Sequence, residues 1–230
     1  MKEFLTNSVF FGALVSLLGY EIGLVLKKKF KLAILNPLLI GVFCVVGILL
    51  LFHIDYDSYN KGGQYISYLL TPATVSLAVP LYEQMNLLKT NIKAIVAGIL
   101  SGVVSSLVGV LALSKLFGLD HALYVTLLPK SITTAIGMGV SEELGGIVTI
   151  TVAVIIITGI LGNVISEFVF RLFRIKEPVA KGLALGTASH AIGTAKAMEL
   201  GAVEGAMSSL AIAVAGLVTV VGASIFAGIW

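Results

Sequence analysis

Five stretches of this chain are too long and too apolar to be anything but membrane-crossing helices: Leu5 to Leu26, Leu32 to Phe52, Ala94 to Leu116, Ile147 to Phe170 and Ala206 to Trp230. A crossing helix needs about 20 mostly apolar residues to span a hydrocarbon layer about 30 Å thick. Two further segments, Tyr65 to Glu83 and Val179 to Leu200, have the length but carry polar and helix-breaking residues. An eighth, His121 to Gly146, is interrupted at Pro129-Lys130-Ser131. Of the 230 residues, 58% are hydrophobic and 12% charged, whereas soluble domains carry about 25% charged residues. Lipid must therefore solvate most of the surface. Connections are short, so the chain reads as one all-α polytopic membrane domain over residues 1–230. Met1 to Gly23 reads as a retained first helix: its apolar stretch is long, and no small-x-small cleavage site precedes the lysines.

The basic residues set the orientation, because short loops rich in Lys and Arg stay cytoplasmic. Lys27, Lys28, Lys29 and Lys31 place the first loop inside, and Lys89 and Lys93 do the same for a later one. Arg171, Arg174, Lys176 and Lys181 should also be inside. That is impossible if His121–Gly146 crosses once. The conflict disappears if this segment enters and leaves on one face, as a re-entrant hairpin broken at Pro129. About 26 residues suit two half-depth arms; two very short crossings satisfy the charge rule equally. The expected plan is about seven crossings plus this hairpin. A weak internal repeat accompanies it. Thr71 to Glu83 and Thr187 to Glu199 have the same spacing, offset by 116 positions (187 − 71), and run in opposite directions under this topology. Inverted repeats, about 1–118 and 119–230, with broken helices meeting near the midplane, are a recurrent transporter plan.

Three polar islands interrupt the apolar sequence: Thr71-Pro72-Ala73-Thr74-Val75-Ser76, Pro129 to Thr134, and Gly186 to Lys196. Proline removes a backbone donor, and glycine permits unwinding. Backbone freed in this way is tolerated within hydrocarbon only where it faces protein or a wet cavity. Half-helices starting at such breaks aim free N–H groups inward, which suits an anion. Lys130 is the sharpest residue, since a lysine at the membrane centre costs roughly 2.5–3.5 kcal/mol on insertion scales. It reads as the anchor of a solute carboxylate, with Ser131, Thr133, Thr134, Ser189 and His190 orienting the guest. Thr71, Thr74, Thr187 and Thr194 complete the candidate binding set. The bland alternative is that Lys130 snorkels to water, or pairs with Glu83 or Glu199. His190 reads equally as a solute ligand or proton acceptor, or as a neutral histidine bonded to a nearby carbonyl.

Other features read as architecture. Gly98, Gly102, Ser105 and Gly109 have small-xxx-small spacing and predict close helix packing. Asn36-Pro37 is a helix-entry signal, Cys44 is a small core hydrophobe, and Asn163 and Glu167 share one helix face at i, i+4. No nucleophile–base pair, nucleotide loop, cofactor motif or metal-ligand spacing appears. Enzymatic and nucleic-acid-binding roles have nothing to stand on.

The tract Leu128-Pro129-Lys130-Ser131-Ile132-Thr133-Thr134, the pair Gly145-Gly146, the run from Gly182 to Ala197 and then Gly205 to Ala211 resemble the LrgB/CidB family. That family also forms the C-terminal half of plastidial glycolate/glycerate translocators. The family's usual proline after the two threonines is replaced here by Ala135, which softens the expected break. The resemblance implies a multi-pass protein of the bacterial cytoplasmic membrane, and two competing roles. One is alternating-access transport of a small carboxylate resembling pyruvate, glycolate or glycerate. The other is a holin- or antiholin-like protein that modulates murein hydrolase export and autolysis with a small LrgA/CidA-type membrane partner. The small-residue faces also suggest a homodimer.

Overall fold

A computed structural model describes residues 8, 10–30 and 35–230, apart from the side chains of Leu70 and Thr74. The starts of the first two expected crossings, and Lys31, lie outside the described residues. The described chain is helical and forms two compact units that divide after Ser76.

In the first unit, α1 (Phe11–Phe30), α2 (Pro37–Leu51) and α3 (Tyr56–Ser67) pack around Phe11, Val15 and Ile54. Glycine makes the approach close. A side chain at Gly12 would run into Tyr59 O, and one at Gly23 would come 2.6 Å from Pro37 Cα. Asn36 caps α2 as expected, its Oδ1 accepting from Leu38 N at 2.8 Å, with Pro37 in the first turn where no N–H is needed. The unit closes with α4 (Leu70–Ser76).

The second unit begins with α5 (Ala78–Glu83) and α6 (Met85–Thr90). Pro72 and Pro80 each fall in the first turn of a short helix, the position that tolerates proline. They divide the expected Tyr65–Glu83 crossing into short helices, yet the run Tyr56–Glu83 as a whole is long and apolar enough to cross a membrane. Beyond them, α7 (Ile92–Phe117), α10 (Val148–Leu172) and α12 (Ala202–Ala227) are long and apolar enough to cross a membrane. The stripe Ile95, Ile99, Val103 and Leu107 of α7 is buried, while Val96, Leu100, Val104 and Val108 are exposed. The exposed stripe is the face a lipid-solvated helix presents.

Between these crossings lie two hairpins. The first consists of α8 (His121–Leu127), a turn at 128–133, and α9 (Thr134–Glu143). Its outward arm starts beside the end of α12, where Tyr124 Oη donates to Phe226 O at 2.8 Å. Its return arm brings Ile147 N back to Thr126 Oγ1 at 2.7 Å. Thr151 Oγ1 lies 3.0 Å from Thr126 O and 2.7 Å from Ser141 Oγ. Two arms stacked end to end would hold residues 126 and 147 about 30 Å apart. The chain has therefore reversed, and α10 starts near the face that α8 left, as the basic loops require.

The second hairpin was not expected. Val179–Leu200 reads from sequence as a crossing, but α11 (Pro178–Leu200) breaks at Ser189 (φ −133°, ψ 17°) and His190 (φ 42°, ψ −136°). Leu185 and Ala197 share a buried cluster with Phe170, and a side chain on Gly193 would strike Leu185 O. In a straight helix residues 185 and 197 would stand about 18 Å apart. The two arms, 178–188 and 191–200, thus fold against each other. Each is about half the membrane depth, and both begin or end at the face carrying Arg171, Arg174, Lys176 and Lys181. The second unit accordingly holds three crossings with one hairpin entering from each face.

Glycine permits the packing of the second hairpin on α12. Alanine is the better helix former by about 1 kcal/mol, yet at Gly186 an added Cβ would strike Ser208 O and lie 2.8 Å from Ala211 Cβ. Gly186→Ala is expected to lower the thermal midpoint of the detergent-solubilised protein, since overpacking costs about 1–3 kcal/mol. Gly109→Ala, with nothing within 4 Å, should not lower it. Equal midpoints for the two variants would contradict the packing described.

Candidate functional site

The tips of the two hairpins meet the crossings at one cavity of about 970 Å³. On one side α7 supplies Gly98, Ser101, Gly102, Ser105 and Ser106. Opposite stand Thr158, Leu161 and Gly162 of α10, with Leu183, Thr187 and Ser189 of α11. Asn91 and Glu177, which cap the starts of α7 and α11, mark its mouth at the basic face. Lys130 and Ser131 line its deep end.

Sequence dictates this arrangement through its breaks. Pro129 cannot donate a hydrogen bond, and α8 ends just before it at Leu127. The chain turns through Lys130 and Ser131, and α9 starts at Thr134 with extended Thr133 as its N-cap. Thr133 makes no side-chain capping bond, so the free N–H end of α9 lies at the same tip as the ammonium group. Both contribute positive potential there. Lys130 Nζ donates to Ser131 Oγ at 3.0 Å, and that hydroxyl is 3.2 Å from Ser106 Oγ. Among the described residues no carboxylate lies within ion-pairing distance of Lys130. Glu199, its suggested partner, instead accepts from Lys196 at 3.3 Å. Lys196 also pairs with Glu167 at 2.6 Å, which ties the returning arm of the second hairpin to α10.

The second tip is held differently. A Cβ on Gly162 would run into Ser189 Oγ, and one on Gly159 would come 2.7 Å from His190 Nε2. Those two glycines make room for the turn. His190 Nε2 lies 2.9 Å from Ile155 O. A carbonyl only accepts, so the ring proton sits on Nε2. This is the bland alternative for His190, a buried histidine bonded to backbone. Its φ of 42° is the left-handed region that a side-chain-bearing residue rarely occupies, and the ring's bond and burial hold it there.

The residues singled out by sequence divide into three groups. Lys130, Ser131, Thr187 and Ser189 share the cavity wall. Thr133, Thr134, His190 and Thr194 stand behind it; Thr194 Oγ1 donates to His190 O at 3.1 Å and lies 2.7 Å from Ser208 Oγ. Thr71 is exposed on α4 in the first unit, and the side chain of Thr74 lies outside the described residues. Ser101, Ser105, Ser106 and Thr158 were missed as site residues. Their signal was a run of hydroxyls on otherwise apolar helices, which small-residue packing explained as well. Gly98 and Gly102 do pack closely, against Leu183 and Thr187, but they line the cavity too. Among the described residues no cluster of three His, Cys, Asp or Glu side chains is placed to hold a metal.

The family model described as LrgB-like matches residues 16–229. This chain belongs to the LrgB-like family. It is 41% identical over 217 residues to a Bacillus mycoides protein named antiholin-like protein LrgB, covering 94% of each chain. Proteins of the same name from Bacillus cereus and Bacillus anthracis are 40% identical over the same length and coverage. No solved structure matches. Family and fold together make this LrgB-like chain a multi-pass membrane protein.

The direction of the cavity is testable by thiol labelling. In a Cys44→Ser background, Ser101→Cys and Ala184→Cys should react with a membrane-impermeant maleimide added from the cytoplasmic side of inverted vesicles. Neither should react in right-side-out vesicles. Equal labelling from both sides would contradict a cavity whose mouth is at the basic face.

Proposed function

We propose that this LrgB-like protein carries a small organic carboxylate across the membrane by alternating access. The observation that supports this reading is a lysine that, among the described residues, has no carboxylate partner and lines a cavity together with several hydroxyls. A cation drawn into a low-dielectric site favours an anion beside it, because Coulomb attraction grows as water is excluded. Ser131, Ser106 and Ser189 would bond the carboxylate and a neighbouring hydroxyl or keto oxygen. Thr133, Thr134, His190 and Thr194 would act from behind the wall, by fixing the hairpin tips. Exchange of access would proceed by one bundle rocking around the site, with repeats near 1–118 and 119–230 as the two halves. No catalysed reaction enters this reading.

A second reading rests on the name carried by the relatives. Under it the chain is an antiholin-like membrane protein that acts on lysis through oligomers and a small LrgA/CidA-type partner. A lytic or regulatory assembly does not need a selective cationic cradle, which is why the cavity favours the first reading.

Uptake of labelled pyruvate or glycolate into proteoliposomes separates the two. The carrier reading expects saturable uptake, with Lys130→Ala reducing it by about tenfold to a hundredfold. That is the loss of a hydrogen bond to a charged group worth about 1.5–3 kcal/mol. Leakage of unrelated dyes, unaffected by Lys130→Ala in a protein that still folds, would overturn it in favour of the pore.

A further inference from the structure

A second concavity, of about 460 Å³, lies at the end of α10 on the basic face, away from the transport cavity. Its floor is apolar, made by Phe170, Ile175 and Leu200. Its rim is cationic, with Arg171, Arg174, Lys176 and Lys181. One carboxylate, Glu167, also lines it, but that group already pairs with Lys196 at 2.6 Å and with Arg171 at 3.9 Å. Glu177 faces the larger cavity instead. Among the described residues no ion pair engages Arg174, Lys176 or Lys181, and the pocket lining holds four cationic side chains against one carboxylate.

Two of these placements run against ordinary helix electrostatics or backbone preference. Lys181 is in the first turn of α11 (Pro178–Leu200), where the helix dipole and free N–H groups already make the end positive. A lysine there adds to the positive potential of the helix end, which Glu177 at the N-cap offsets only in part. Arg174 takes a left-handed φ of 56°, and the turn it makes closes with Ile175 N donating to Phe170 O at 2.8 Å. This turn seats Ile175 in the floor and Arg174 at the rim. Cations that merely complemented the C-terminal dipole of α10 would belong in its last turn, as Arg171 does; Lys176 and Lys181 lie beyond it.

We propose that this pocket binds an anionic phospholipid, its headgroup phosphate held by Arg174, Lys176 and Lys181, and the start of its acyl chains lying on Phe170, Ile175 and Leu200. The apolar floor and the position at the end of a crossing helix favour a lipid over a soluble phosphate. Clusters of Lys and Arg at this depth bind acidic headgroups with about 1 kcal/mol per residue, close to fivefold each. The bound lipid would brace the loop between α10 and the second hairpin, and so act on the element that carries Ser189.

Native mass spectrometry of the detergent-solubilised full chain tests this, with dihexanoyl phosphatidylglycerol as probe and dihexanoyl phosphatidylcholine and glycerol 1-phosphate as comparisons. Phosphatidylglycerol should bind, and the other two should bind far more weakly. The Arg174→Gln/Lys176→Gln/Lys181→Gln variant should lose on the order of a hundredfold in affinity, and Lys181→Gln alone about fivefold. Lys28→Gln/Lys29→Gln, which lowers charge elsewhere, should bind as the parent does. Equal loss in that control would mean bulk charge alone and would overturn the site. Equal binding of phosphatidylcholine, or of glycerol 1-phosphate, would overturn the anionic-lipid assignment.

Discussion

Hydrocarbon offers no hydrogen bonds, and the second unit is shaped by that restriction. A helix that stops half-way across a membrane exposes N–H and C=O groups at the depth where they are most costly. Such a stop survives only when protein surrounds it. Here both stops are enclosed by the same three crossings, and glycine on α10, α11 and α12 lets them approach. Gly162 admits Ser189, and Gly186 admits the backbone of α12. The hairpins need the crossings for hydrogen-bonding surroundings. The crossings in turn would collapse on one another without the hairpins between them. Neither part makes sense alone.

The same restriction explains why polar chemistry collects at one level. Hydroxyls gather at each tip, as Thr194 bonds His190 O and Ser131 bonds Lys130 and Ser106. Once polar groups are gathered there, a lysine at the neighbouring position is far less costly than it would be in lipid. Lys130 is therefore a consequence of the break as well as a candidate for its use. The contrast with Lys196 is instructive. That lysine, on the returning arm of the second hairpin, has two carboxylates within 4 Å and reads as a tether.

Much of this was legible in the sequence, for identifiable reasons. A contradiction excluded a single crossing, since four basic residues between Arg171 and Lys181 could not then reach the cytoplasm, and left a hairpin or two very short crossings over 121–146. The cap at Asn36-Pro37 followed from local chemistry. The second hairpin escaped because its turn is at Ser189-His190, with neither proline nor glycine at the bend itself. The polar island Gly186 to Lys196 marked an interruption there, but not that the chain reverses at it. For the site, Lys130 and Ser189 stood out because polarity is rare in oil. Ser105 and Ser106 did not, since a small residue on a membrane helix serves packing and hydrogen bonding alike. Thr71 was grouped with them as part of a proline-interrupted polar island with the same spacing, and it lies in the first unit.

The unneutralised charge of Lys130 also has an electrical meaning. A charge carried fully across a membrane at 100 mV exchanges about 2.3 kcal/mol with the field, and one at half depth senses about half of that. On the proposed reading, the vacant carrier bears this positive charge, and binding a monovalent acid cancels it. An interior-negative voltage would then draw the vacant site towards the cytoplasm and leave the loaded one indifferent. On that reading the resting potential itself would favour a form open to the cytoplasm.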